Sequence, residues 1–534
     1  MRIEFLDLMV ANGAERTRTS QETFNPNHMC DGSVYTVPPA PMDNLQRVRD
    51  WLGACSLHEK CFKQFKQPLP YRILDVGSSE NPHLRLIEDC KDEAEYIALS
   101  YCWGVKDTFV TTRDNLADFK LSIDERNLPQ TFVDAIKVSR HLGQRYLWID
   151  ALCILQKDPV DWEEQSQKMG DIYSQAWLMI SAANSRSVHE GFLRPRPPNA
   201  KLYGTIQEGE DLYKVYISVE RSGEGLEDGI LNKEPLTTRG WTLQERLLSQ
   251  RKLHFCKRQI YWQCGTVVCS EDYCDFLQRP APPSFIEGII SSVWMRQLKS
   301  PSEAWKEVVQ VYSGCQLSKN ADRLPAISGL AHQFSRHSES LGNYYAGHWE
   351  SDLLSSLLWF NAYPPRLAPP DGERSLPSWS WTAYHGENPL AFLGYNQSFA
   401  LEIKFIETEL WGTDRFGRVK SGRLGLAGSL IRVSFEDTRA VDVWTINSLS
   451  VHTETCQCDF AAKVHLDDEV GEDAGADLYM IIFAFTAFGA AGLVLSANQD
   501  GTYRRIGMVD SLAKESRGSL CKLPRPEPSE VIIV

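Results

Sequence analysis

Residues 146–193 read YLWIDALCILQKDPVDWEEQSQKMGDIYSQAWLMISAANSRSVHEGFL, and this stretch decides the fold class. The apolar run Tyr146-Leu-Trp-Ile149 finishes on Asp150, as a short buried strand does. Asp158 followed by Pro159 is a helix start, because an aspartate accepts from the free N–H groups of the first turn and proline needs none there. Trp162, Met169, Ile172, Tyr173 and Ala176 then recur at helical spacing, and Trp177 to Ser181 is a second apolar strand. Upstream, Tyr96 to Ser100 is an apolar strand stopped by Trp103-Gly104. Pro129 opens a helix with Phe132, Ala135, Ile136, Ser139 and Leu142 on one face, and Gly143 ends it. Strand–helix–strand–helix–strand at these lengths predicts parallel neighbours joined by right-handed crossovers, an α/β domain.

Working outward, residues 1–90 form a preamble, with a helix from Asp43 to Phe65 and strands at Tyr71–Val76 and Leu84–Ile87. The α/β domain runs over 91–275. A proline-marked linker opens a helical segment, 276–375, with helices predicted at Ile286–Leu298, Pro301–Ser313, Leu324–His337 and His348–Phe360. After Leu376-Pro-Ser-Trp-Ser-Trp381, glycine and aspartate turns recur every ten or so residues, so 376–534 reads as a β-rich module. One run there, Leu478 to Ala497, is uncharged and nearly long enough to span a bilayer. Gly489 and Gly492 interrupt it, and Asn498-Gln-Asp-Gly501 makes a turn, so strands and hairpins are predicted and no membrane span.

The chain has 534 residues and a formal net charge of −14, with no Lys/Arg run, which argues against a nucleic-acid partner. Its 14 cysteines are scattered. Glu4 and Asp7 break the only apolar start, so no export signal is read; the expected location is cytoplasmic and the thiols are expected reduced. The fingerprints GxGxxG, P-loop, GxSxG and HExxH are all missing.

In a doubly wound sheet, ligands bind beyond the carboxyl ends of the strands. Three such ends present polar groups: Ser100 with Tyr101 and Trp103, Asp150, and Ser181 followed by Asn184, with His189 and Glu190 on the loop beyond. Two readings are open, a shared cleft or local caps and turns, which use the same residue types. Downstream, Arg239, Trp241, Gln244, Glu245 and Arg246 fall on a helix starting near Thr238. An arginine there either pairs with a buried acid, Asp150 included, or binds a phosphate with its planar fork.

Three blocks carry a resemblance: Tyr96-Ile-Ala-Leu-Ser-Tyr-Cys-Trp-Gly104, the 146–193 stretch, and Thr238-Arg-Gly-Trp-Thr-Leu-Gln-Glu-Arg-Leu-Leu248. Together they resemble the HET (heterokaryon incompatibility) domain of filamentous fungi. That resemblance implies self/non-self recognition, in which the activated domain triggers programmed cell death after cell fusion, with a protein partner and self-association. HET domains have been proposed as distant relatives of TIR domains, which implies a parallel-sheet, TIR-like or flavodoxin-like fold. Some TIR domains cleave the nicotinamide bond of NAD with a glutamate after a later strand. By that comparison Glu190 is the candidate catalytic carboxylate, with Asp150 and Ser100 beside it, Tyr101, Trp103, Asn184, Arg239 and Arg246 binding ligand, and NAD as substrate with no cofactor required. The alternative is an accessory protein or enzyme of a secondary-metabolite biosynthetic cluster. Two positions depart from the family pattern: Lys157 stands where an acidic residue is usual, and Trp262-Gln-Cys264 where Trp-Glu-Cys is common.

Cys55-x2-His58-x2-Cys61 supplies zinc-type ligands, with Cys30 upstream, and Cys256, Cys264, Cys269 and Cys274 form a second, looser group. Neither has the tight CxxC spacing of a zinc ribbon, so no metal is expected.

Overall fold

The computed structural model describes residues 8–11, 41–59, 61, 66–104, 109–197, 200–208, 211–218, 231–271, 277–278, 300–361, 376–384, 389–393, 399–434, 445–452, 457–467, 477–486, 489–513 and 526–534. The chain divides into two units, Met1–Arg296 and Gln297–Val534. Cys30, Cys274, the segment 286–298 and most of the 362–375 loop lie outside the described residues.

In the first unit the quoted stretch folds largely as its pattern predicts. Helix α1 spans Leu45–Leu57, strand β1 Arg72–Gly77, β2 Pro82–Glu88 and β3 Ile97–Ser100. Helix α2 (Gln130–His141) follows, then β4 (Tyr146–Trp148), α3 (Pro159–Gln175), β5 (Leu178–Ser181) and α4 (Gly240–Leu248). Strands β6 (Lys252–Phe255), β7 (Ile260–Gln263), β8 (Val267–Ser270) and β9 (Leu277–Gln278) complete the sheet. Asp158 caps α3 by accepting from Val160 N and Asp161 N, with Pro159 at the first position. Gly143, at φ +75°, terminates α2 in the left-handed region that glycine enters without penalty.

The sheet has nine strands in the order β9-β8-β7-β6-β5-β3-β4-β1-β2. It is mixed, which corrects the expected all-parallel sheet. Only β4, β3, β5 and β6 run parallel; β1 joins β4 antiparallel and β7 joins β6 antiparallel. The reason lies in the connections. Parallel neighbours need a crossover of a dozen or more residues, as α2 and α3 provide, whereas β1–β2 and β6–β7–β8 are joined by short turns that return the chain antiparallel. Within the parallel part, β3 lies between β4 and β5, so the chain order reverses beside it.

Helix α1 shares the core of this sheet: Leu45, Val48, Trp51 and Cys55 are buried in one cluster with Ile97, Leu99, Trp148 and Ile180. A buried ion pair ties strand to helix. Arg72 on β1 reaches Asp161 on α3 through two bonds of 3.0 and 2.7 Å, and also donates to Glu88 and the Cys153 carbonyl. The same Asp161 accepts from Leu155 N at 2.7 Å, which fixes the loop between β4 and α3.

The second unit opens with helices at Pro301–Ser313 and Pro325–His337, as predicted. The helix predicted over His348–Phe360 is instead a short strand, a 3-10 turn, one helical turn and another strand. His348 and Trp349 are both buried, and the strand pairs Tyr345 with His348 around Gly347. Gly347 sits at φ +99°, and a Cβ there would come within 2.4 Å of the Trp381 indole. Its carbonyl accepts from the indoles of both Trp305 and Trp381, which explains the buried Pro-Ser-Trp-Ser-Trp run.

The β-rich module is present. Leu430–Ser434, Thr445–His452, Gln457–Leu466, Leu478–Thr486, Gly489–Ala497 and Tyr503–Ala513 pair in a ring that closes through the last two. The apolar run at 478–497 is therefore two antiparallel strands, as its glycines predict. No helix among the described residues is long and apolar enough to cross a membrane.

One arginine anchors this unit. Arg505 is 2% exposed, bonds Asp467 twice, and donates to the carbonyls of Leu357 and Trp359. Its guanidinium also stacks 3.5 Å from the Trp359 ring centre. Arg505→Ala should therefore lower the unfolding free energy of the second unit by about 3–5 kcal/mol, since it strands a buried carboxylate and two carbonyls. Denaturant melts of the full chain followed by tryptophan fluorescence measure this.

Candidate functional site

Strand register brings the polar ends together. Ser100 lies opposite Ser181 across β3–β5, and Ala98 lies opposite Trp148 across β3–β4, which places Asp150 near the level of Ser100. The Ser100 carbonyl accepts from Ala182 N, so the chain beyond β5 continues to follow β3 past the sheet edge.

Asp150 is the hub. Its carboxylate accepts the Tyr101 hydroxyl at 2.6 Å, the Trp103 indole N–H at 2.7 Å and its neighbour Ala151 N at 2.7 Å. Tyr101 and Trp103 lie near-parallel, 6.5 Å between ring centres, and Tyr101 meets Phe132 of α2 edge-on. Burial pushes the Asp150 carboxyl up, against the lowering effect of those donors and of the Arg239 charge. The Tyr101 phenol is driven well up by burial and by the carboxylate beside it.

A second carboxylate stands behind the first. Glu245 of α4 is 6% exposed and within hydrogen-bonding reach of the Ser100 hydroxyl and the Tyr173 hydroxyl. Burial, reinforced by the Asp150 charge, raises it to about 8, so it is mostly protonated at neutral pH. Helices α3 and α4 meet here, with Trp162 edge-on to Trp241 at 6.2 Å. The Arg239 charge lowers both acids. Burial raises the Cys102 thiol to about 11, and the charges of Arg239, Glu245 and Glu190 act on it more weakly.

Glu190 lies on the loop after β5, half-exposed. It accepts from Arg186 N at 3.0 Å and pairs with Arg194 at 3.4 Å. The loop that carries it is held firmly: Asp134 of α2 accepts from Phe192 N and Leu193 N, and Gly191, at φ +67°, packs where a Cβ would sit 2.6 Å from that carboxylate. His189 is exposed. Asn184 donates to the carbonyls of Phe192 and Cys256. Arg246 is buried and its charge acts on His254.

Two participants were not singled out from sequence. Tyr173 counted only as part of an apolar stripe, although a buried tyrosine must place its hydroxyl, here on the Leu99 carbonyl at 2.9 Å. Glu245 was visible on the α4 face, but its isolation from water was not. The cysteines also regroup. Cys264 stands with Cys55, His58 and Cys61, all four ligand atoms within 4.8 Å of one another, while Cys256 packs with Ala183 and Tyr261. A separate surface depression is lined by charges that already pair, Arg72 with Asp161 and Arg113 with Asp158.

Residues 96–245 match the family model described as "Heterokaryon incompatibility protein (HET)". No curated protein and no solved structure gives a significant match. The chain therefore carries a heterokaryon incompatibility domain, and the resemblance read from the three motif blocks holds. The first and last segments of the match meet in space, since Ser100 and Glu245 lie side by side.

Two measurements probe the acids. Asp150→Ala leaves the Tyr101 hydroxyl and the Trp103 indole without their acceptor and should cost about 2–4 kcal/mol of stability in a urea melt. Glu245 is raised in the folded state, so the fold binds the proton more tightly than the unfolded chain does. Its contribution is full below its ordinary value of 4.5 and is lost as pH rises through about 8. Glu245→Gln should flatten that decline when melts at about pH 5 and about pH 8 are compared.

Proposed function

We propose that this protein is a cytoplasmic effector of self/non-self recognition in a filamentous fungus, whose HET domain drives cell death when a protein partner engages it. The observation that carries this reading is the convergence of the three motif blocks on one polar cluster at the strand ends, within the segment matched by the family model. The cluster holds one buried and one partly buried carboxylate and a stacked tyrosine–tryptophan pair at the point where strand order reverses. That position is where open α/β sheets bind ligands. The parallel order around β3 supports a TIR-like or flavodoxin-like arrangement of this part.

A second reading is favoured by one observation. The loop after β5 that carries Glu190 is tied to the strand-end cluster, since Val188 N donates to the Trp103 carbonyl at 3.4 Å. In that reading NAD binds at the strand ends and Glu190 holds the ribose hydroxyls while the glycosidic bond opens through an oxocarbenium-like state. Arg239 then faces the pyrophosphate, which a planar guanidinium suits.

Induced expression of the full chain in a fungal host, beside Glu190→Ala, tests both readings. Loss of viability with a fall in intracellular NAD, both abolished in the variant, is the outcome expected of an NAD-cleaving effector. Cell death with NAD unchanged would remove the enzymatic reading and leave an effector that works by assembly. Normal growth of induced cells, alone and after fusion with non-self strains, would count against the effector reading altogether.

A further inference from the structure

Three cysteines and a histidine from two distant parts of the chain converge in the first unit. Cys55 ends the buried face of α1, and His58 and Cys61 follow it directly. Cys264 comes from the turn between β7 and β8, more than two hundred residues later. The His58 Nδ1 lies 3.4 Å from Cys61 Sγ and 3.6 Å from Cys264 Sγ. A tetrahedral zinc with bonds of about 2.3 Å to sulfur and about 2.05 Å to nitrogen sets its S···N edges at about 3.6 Å. The spacing is that of a ligand set.

We propose that Cys55, His58, Cys61 and Cys264 bind a structural zinc ion that fastens helix α1 to the β7–β8 turn. The chemistry of the donors fits. Three sulfurs and one imidazole nitrogen, all within 4.8 Å, are a Cys3His set, which closes the coordination sphere and leaves no position for catalysis. The surroundings fit too. Thr266 Oγ1 stands 3.3 Å from Cys61 Sγ, and the Thr266 backbone N–H addresses Cys264. Such donors to sulfur orient and stabilise thiolate ligands. Three thiolates would leave the zinc site with one negative charge, and the Arg251 charge reaches Cys55 to offset it.

Sequence spacing concealed the site because each half alone is incomplete. Read as one helix to Phe65, Cys55, His58 and Cys61 would splay around the axis, but α1 ends at Leu57, so His58 and Cys61 turn back toward Cys55. The fourth ligand follows β7 on a tight turn closed by Cys264 N to Val267 O at 3.0 Å. The zinc site lies apart from the strand-end acids and stands whatever those acids do.

Elemental mass spectrometry of the full-length protein, purified under reducing conditions without chelator, should find one equivalent of zinc. Cobalt(II) added to the metal-free, reduced protein should give the visible bands of a tetrahedral thiolate complex. Cys264→Ser should lose most of the zinc, and Cys90→Ser, which changes a thiol outside the group, should keep it. Because loss of a ligand can unfold the unit, His58→Cys provides the complement: it keeps four donors and should retain zinc. Two outcomes overturn the proposal. One is reduced wild-type protein with neither stoichiometric zinc nor the cobalt spectrum. The other is native protein whose mass shows Cys264 in a disulfide with Cys55 or Cys61.

Discussion

The strand-end cluster depends on one partly buried carboxylate, Asp150, held by three donors. Taking a carboxylate even partly out of water is costly unless donors replace the lost solvent. Tyr101, Trp103 and Ala151 supply them, and each donor fixes a further piece of structure. The Trp103 anchor sets the turn at Gly104, whose φ of +85° and close approach to Ser187 exclude a side chain. The Trp103 carbonyl then accepts from Val188 N, which draws in the loop bearing Glu190. Asp134 secures the far side of that loop. One partly buried carboxylate thus links three segments.

Glu245 meets the same problem with fewer donors. It is 6% exposed, and burial with the Asp150 charge raises it, so it keeps its proton at neutral pH. Buried acids of raised proton affinity are a feature that functional sites share with some structural networks. Here the arrangement couples helix α4 to strand β3. Any ligand that brings positive charge near Ser100, or removes it from Arg239, would alter the protonation of Glu245 and the tie between helix and strand.

The legible parts of the fold were those where local chemistry and burial agree. Asp158-Pro159 marked the α3 start because a capping carboxylate and a missing N–H act within one turn. Gly489 and Gly492 marked strands because Gly492 has the Ile481 carbonyl 2.1 Å from where a Cβ would sit. His348–Phe360 misled because its apolar spacing suits a helix, while Gly347 and two indoles impose a turn that lies outside the segment. Direction within the sheet was readable only for strands separated by helices. At the strand ends, Ser100, Tyr101, Trp103 and Asp150 stood out because polar residues terminate apolar runs there, whereas Arg239 stood out only within its motif block. Asn184 looked the same in sequence and proved to bridge backbone carbonyls.

The folding unit is larger than the segment that the family shares. The match covers 96–245, yet β1 and β2 flank β4 on one side and β6 to β8 extend β5 on the other. Trimming the chain to the match would open the edge of β4 that β1 pairs at Leu74, and expose the core under Val48, Trp51 and Cys55. At ~25 cal/mol per Å2 of apolar surface, losing several such large side chains exceeds the net stability of a typical domain. The strand-end acids sit in the shared segment, the Cys55, His58, Cys61 and Cys264 group outside it, and the flanking strands and helix α1 that complete the core also come from outside. Sequence beyond the match therefore completes the sheet and core in which the strand ends meet.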